Sequence, residues 1–167
     1  MKIRLVILWA VALVGLAFVN YSIYGKEQLI HDGEPLFLEL APVDPRSLIQ
    51  GDYMALRYRM AVELEGEEAL PPRGTLVVRR DERDVATFVR LDYGITPLAA
   101  DERRLKYYLR DQQVEIGPNA FFFQEGNREV YQNARYGELH VDSAGNAVLV
   151  GLRGPDLEPL APTPQAK

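Results

Sequence analysis

The chain has 167 residues, 47% of them hydrophobic and 26% charged, with 13 glycines, 11 prolines and no cysteine. That length suits one ordinary domain, and the composition excludes a disulfide-stapled fold, a thiolate metal site, a cysteine nucleophile and a disordered chain. A net charge of -5 argues against a nucleic-acid partner, which would require a basic face.

The apolar residues are concentrated at the N-terminus. Residues 5–19 carry no polar or charged side chain, and the uncharged stretch runs on to Gly25, 21 residues in all. As a helix that stretch is about 31 Å long, close to the thickness of a bilayer's hydrocarbon core. Lys2 and Arg4 precede it, and Lys26, Glu27, His31, Asp32 and Glu34 follow it. The positive-inside rule then keeps residues 1–4 in the cytoplasm, with 5–25 as a transmembrane helix and the remainder exported. Gly15-Leu16-Ala17 loosely offers a signal-peptide cleavage site, but cutting there would leave an apolar new N-terminus, so a retained anchor is expected. Residues 26–34 read as a juxtamembrane helix or linker, with Gly33 placed to end it. Removing Lys2 and Arg4 from 19 basic residues leaves 17 against 24 acidic ones, so the exported part carries -7. An anionic lipid surface would repel such a domain, so peripheral lipid binding is not expected.

From residue 35 the hydrophobic period is mostly two, which predicts strands at 36–41, 53–60, 75–79, 85–91, 105–109, 120–123, 138–142 and 147–152. In the second of these, Met54, Leu56, Tyr58 and Met60 share one face. The charged run 80–84 and the turn-rich run 143–146 read as hairpin loops. Val130, Tyr131 and Ala134 recur at helical spacing, which predicts one short helix over 125–135, closed by Gly137. Acidic residues 63–68 read as a solvated loop, and the four prolines after residue 153 predict a disordered tail over 154–167. The expected architecture is a mostly β, antiparallel, barrel-like extracytoplasmic domain over 35–153 behind a single membrane helix.

The most individual stretch is 41–58, where Pro42 and Pro45 force extended or turn backbone and Gly51 permits a positive φ before the strand at Tyr53. Asp52 is expected to accept backbone N–H groups in that turn, so that Asp52→Ala would cost about 1–2 kcal/mol. Gly51-Asp52-Tyr53 with Leu56 and Tyr58 spells G-D-Y-x-x-L-x-Y. The motif, its lead-in of residues 43–48, and the later runs 121–126 and 134–139 together resemble the GDYXXLXY family of bacterial membrane-anchored proteins. That resemblance implies an extracytoplasmic domain with a multi-spanning membrane protein as neighbour or partner. Asp44, Arg46, Arg57, Glu125 and Arg135 are the candidate contact residues.

Gly51-Asp52 is also weakly similar to a stretch in type I signal peptidases, anchored β enzymes that use a serine and a lysine. Aligned that way, Val43 stands where the serine would, and Ser47 with Lys106 is the nearest substitute dyad. His31 and His140 are the two histidines and suggest no metal centre, so neither metal nor cofactor is expected. Tyr107, Tyr108 and residues 121–123 could line a ligand groove, although at strand spacing they read first as core. Arg57 and Arg59 with Tyr53 make a candidate polar recognition face. The leading expectation is a non-catalytic interaction domain held at the cytoplasmic membrane. The alternatives are an unusual serine-lysine peptidase and a small-ligand-binding β domain.

Overall fold

The structure, a computed structural model, describes residues 2–42, 49–50, 53–66, 70–124 and 126–161, with backbone alone for 2, 49 and 50. It opens with α1 (Lys2–Asp32), 31 residues long. The helix is apolar and long enough to cross a membrane, and none of its most apolar stretch is buried against the rest of the chain. The polar residues after Gly25 do not interrupt it. At its end Gly33 N donates to Leu29 O at 3.1 Å. Gly33 does this without a left-handed φ. What it contributes is closeness, because a Cβ there would collide with the Leu29 carbonyl and lie 2.9 Å from His140 Cβ.

The remainder is β-rich, with antiparallel sheets curled into a half-barrel. One sheet has the order β1-β9-β10, formed by β1 (Glu34–Glu39), β9 (Tyr136–Val141) and β10 (Ala147–Arg153). A second has the order β5-β4-β6-β7, from β4 (Arg73–Arg80), β5 (Ala86–Leu91), β6 (Glu102–Arg110) and β7 (Gln113–Ile116). The third is small, with the order β2-β3-β8, from β2 (Ile49–Gln50), β3 (Tyr53–Ala55) and β8 (Ala120–Phe122). A parallel bridge between Phe37 and Val85 and an antiparallel bridge between Leu40 and Tyr58 tie the sheets together. Among the described residues two short helices complete the fold, α2 (Arg59–Leu64) and α3 (Arg128–Tyr131).

The alternation read from the sequence is what builds the core. In β9, Gly137, Leu139 and Val141 are buried while Glu138 and His140 alternate outward. Leu36, Leu76, Leu105 and Leu139 are fully covered and meet in one cluster with Tyr58, Tyr107 and Leu152. Each such side chain contributes about 1.5–3 kcal/mol through the water it sheds.

The loop at 80–84 and the loop at 143–146 both form hairpins. In the first, Asp81 Oδ1 accepts from Arg83 N and Val85 N. In the second, Asp142 Oδ1 accepts from Ala144 N and Asn146 N. Short side chains that satisfy nearby amides are why such loops hold their register.

Several expectations need correction. The strand predicted over 53–60 runs only to Ala55, after which Tyr58 keeps a single bridge to Leu40, and Arg59 and Met60 belong to α2. Met60, Ala61 and Leu64 are buried together at helical spacing, so the helix continues the apolar face after the strand ends. Glu63, assigned to a solvated loop, is helical for the same reason. The helix predicted over 125–135 is a single turn, Arg128–Tyr131, anchored by the burial of Tyr131. The tail is ordered through 154–161, where Pro159 bridges Arg153 and Leu160 N donates to Leu152 O at 3.0 Å. Proline lacks a donor, but its neighbour supplies one, and Leu160 packs on the core. Residues 162–167 lie outside the described residues.

Candidate functional site

The motif strand β3 is held on one side by β8, with Tyr53 opposite Phe122, Met54 opposite Phe121 and Ala55 opposite Ala120. Alternation then divides its side chains. Met54 and Leu56 point into the core, while Tyr53 is half-buried with its ring centroid 5.8 Å from that of Phe122. Phe122 is 75% exposed, so this pair is an aromatic surface feature. Beyond Ala55 the strand leaves the sheet but keeps its backbone partners. Leu56 N donates to Asn119 O at 2.8 Å, and Ala41 N donates to Arg57 O at 2.7 Å.

Tyr58, the last motif residue, is a core side chain at 2% exposure, and its hydroxyl donates to Pro118 O at 3.0 Å. Burial pushes its pKa above the ordinary value of 10.0, since the phenolate would have no water to solvate it. Its ring also lies against Gly137, where a Cβ would come within 3.0 Å of Tyr58 Cε1. Tyrosine at 58 and glycine at 137 are therefore one packing solution.

Arg57 points to the opposite face and meets α2. Its Nη2 donates to both oxygens of Glu65 at 2.9 Å, and Glu65 Oε1 accepts from Val114 N at 3.0 Å. Arg57 thus clamps the end of α2 to β7. Beside the clamp, Arg57, Tyr58, Val114, Ile116 and Asn119 line a cleft of about 200 Å³. Arg59 departs from this group, since it sits on α2 and pairs with Glu39 at 2.9 Å. The expected recognition face of Tyr53, Arg57 and Arg59 is consequently divided among three different neighbours.

Arg135 is held through its backbone by neighbours outside the motif. Its carbonyl accepts from Leu40 N at 2.8 Å, its N–H donates to Arg153 O at 2.8 Å, and its side chain is exposed. Gly51, Asp52, Asp44, Arg46 and Glu125 lie outside the described residues, as do Val43 and Ser47. Lys106 donates to Asn146 Oδ1 at 2.8 Å. The aromatic candidates separate as well. Tyr107 is core, Tyr108 is exposed, and Phe121 and Phe123 flank Tyr131 with centroids at 5.0 and 5.3 Å.

Two features escaped the sequence reading. Glu65 carries no local sign that it would hold Arg57, because the contact depends on α2 forming. The junction between α1 and the domain was also not foreseen. There Leu29 is buried, and His140 Nδ1 lies 2.6 Å from Ile30 O.

Neither the curated proteins nor the solved structures include a match to this chain. A family model does match, over residues 15–152, from within α1 to the penultimate residue of β10. The motif strand, its β8 partner and the glycine that packs on its last tyrosine all fall inside that span, and the chain belongs to the GDYXXLXY protein family.

Proposed function

We propose that the chain is a single-pass membrane protein whose N-terminus stays in the cytoplasm and whose β domain lies on the far side of the cytoplasmic membrane. The domain serves there as a non-catalytic accessory module for a multi-spanning membrane protein. The observation that carries this reading is α1: 31 residues of continuous helix, uncovered along its apolar length and docked at its last turn on β9 and β10. A helix that is apolar all round and unpacked needs lipid around it. Lys2 and Arg4 at its start favour the cytoplasmic side.

Two features suit a partner within and above the bilayer. Asn20 lies in the apolar span, and its Nδ2 donates to Leu16 O at 2.8 Å. Among the described residues its Oδ1 has no donor, and an unmet amide in hydrocarbon favours a neighbouring helix that supplies one. Above the bilayer, the exposed Phe122 beside Tyr53 offers an aromatic anchor of the kind that interfaces use.

Reporter fusions test the topology. A C-terminal alkaline phosphatase should be active and a C-terminal green fluorescent protein dark, and the reverse pattern overturns the proposal. Purification in mild detergent should recover a stoichiometric membrane partner that Asn20→Leu and Phe122→Ala each weaken. A chain that purifies alone, with both variants indistinguishable from the parent, refutes the accessory role. If Ser47→Ala and Lys106→Ala each abolish the cellular phenotype in a folded protein, the chain is a peptidase instead.

A further inference from the structure

The chain has four lysines, Lys2, Lys26, Lys106 and Lys167. Lys26 and Lys106, 80 positions apart in sequence, line the same cleft. Its volume is about 270 Å³, and Tyr108, Gly117 and Asn146 complete its walls. Lys26 comes from α1, Lys106 from the middle of β6, and Asn146 from the β9–β10 turn.

The two ammonium groups at this cleft differ from the paired arginines elsewhere in the domain. Several of the domain's arginines are taken up by carboxylates, among them Arg57 by Glu65, Arg90 by Glu102, Arg104 by Asp92 and Arg153 by Glu138. Among the described residues neither Lys26 nor Lys106 makes an ion pair. Lys106 spends one of its three protons on Asn146 Oδ1, which leaves two for a ligand. Asp142 attracts Lys106, but its oxygens are already engaged by Ala144 N, Asn146 N and Asn146 Nδ2. Glu27, next to Lys26, is turned about 100° round the helix from it.

Height above the bilayer identifies the ligand. Lys26 is the first charged residue after the 21-residue uncharged run. The polar layer that covers the hydrocarbon is about 5–8 Å deep on each side, so the Lys26 ammonium stands among lipid phosphates. From Gly25 to Asp32 the helix rises about 10 Å, which keeps the docked domain, and with it Lys106, near that layer.

We infer that Lys26 and Lys106, with the Tyr108 hydroxyl, form a binding site for the headgroup phosphate of one phospholipid in the leaflet facing the domain. The domain's overall charge of -7 disfavours adsorption to an anionic surface, but a single phosphate held between two ammonium groups is a local contact that the net charge does not decide. A bound lipid here would fix the domain's rotation about α1 and so present the motif face to its partner in one orientation.

The inference rests on α1 spanning the membrane, and the test separates the two claims. The full chain, reconstituted in nanodiscs of phosphatidylcholine and phosphatidylglycerol, is released into detergent and its retained lipid read by native mass spectrometry. The wild type should hold one phospholipid. Lys26→Gln and Lys106→Gln should each cut its occupancy roughly fivefold, and Arg59→Gln should leave it unchanged. Should Lys106→Gln unfold, Lys26→Gln, on the open face of a helix, decides alone. Unchanged occupancy in a chain that resists carbonate extraction refutes the lipid site and leaves the anchor standing. Release by carbonate removes both. If the wild type carries no lipid yet binds inorganic phosphate in a Lys26- and Lys106-dependent way, the ligand is free phosphate and the lipid assignment falls.

Discussion

His140 Nδ1 lies 2.6 Å from Ile30 O, which joins a strand of the domain to the last turn of α1. A carbonyl can only accept, so the proton is on Nδ1. The last four carbonyls of any helix lack a partner within it. Here Leu29 O receives Gly33 N and Ile30 O receives the imidazole. The helix end is therefore completed by the domain, and the two are oriented together. His140→Ala should lower the stability of the full chain by about 1 kcal/mol, read as a fall in melting temperature in detergent. Amide exchange should quicken in the last turn of α1 before it quickens in β6.

Gly33→Ala should act on the same junction by crowding. The added methyl would collide with the backbone carbonyl of Leu29, which the helix holds in place, and with His140 Cβ. Overpacking of this kind costs about 1–3 kcal/mol. The variant should melt earlier, and combining it with His140→Ala should give less than the sum of the two losses, because both loosen one contact.

These junction residues also mark where sequence reasoning stops. Local patterns were legible: the Asp81 and Asp142 hairpins follow from short acceptors beside amides, and the alternation of Met54, Leu56, Tyr58 and Met60 gave the correct buried set. The period-two pattern does not say where a strand becomes a helix, since Met60 can reach the same core from α2. Strand β7 was missed because its hairpin turns through Asp111 and Gln112 at φ values of 49° and 64°, a left-handed pair with no glycine to announce it. Pairings such as Arg57 with Glu65, and the shared cleft of Lys26 and Lys106, are set by tertiary approach, which no local window contains.

Tyr58→Phe tests the motif's last position. The substitution keeps the ring against Gly137 but leaves the half-buried Pro118 O without its donor, at a cost of about 1 kcal/mol. Stability at high pH should change too. The folded state raises the pKa of Tyr58 above 10.0, so the associated stability is complete below pH 10.0 and fades as pH climbs beyond it, where unfolding releases a proton. Tyr107, raised by burial and by Tyr93, adds a second such proton. Above pH 10.0 the wild type should therefore lose stability more steeply than Tyr58→Phe, by about one proton in the slope of unfolding free energy against pH.

At the acid end the sign reverses. Asp92 has its pKa held below the ordinary 3.8 chiefly by the hydrogen bond from Arg104 Nε at 2.6 Å, with Gly94 N assisting. Glu102 is lowered from 4.5 chiefly by Arg90, then by Ala99 N. A depressed carboxylate supports the fold fully above its unfolded value, and the support drains as pH falls through the folded one. The wild type should therefore hold a level melting temperature down to about pH 4.5 and fall below it. Asp92→Asn should melt earlier at pH 6, because Arg104 loses its counter-charge. It should also lose less on going from pH 4.5 to pH 2.5, since one of the depressed carboxylates is no longer there to titrate. A variant as steep as the wild type in acid would assign the acid sensitivity to groups other than the Asp92–Arg104 pair.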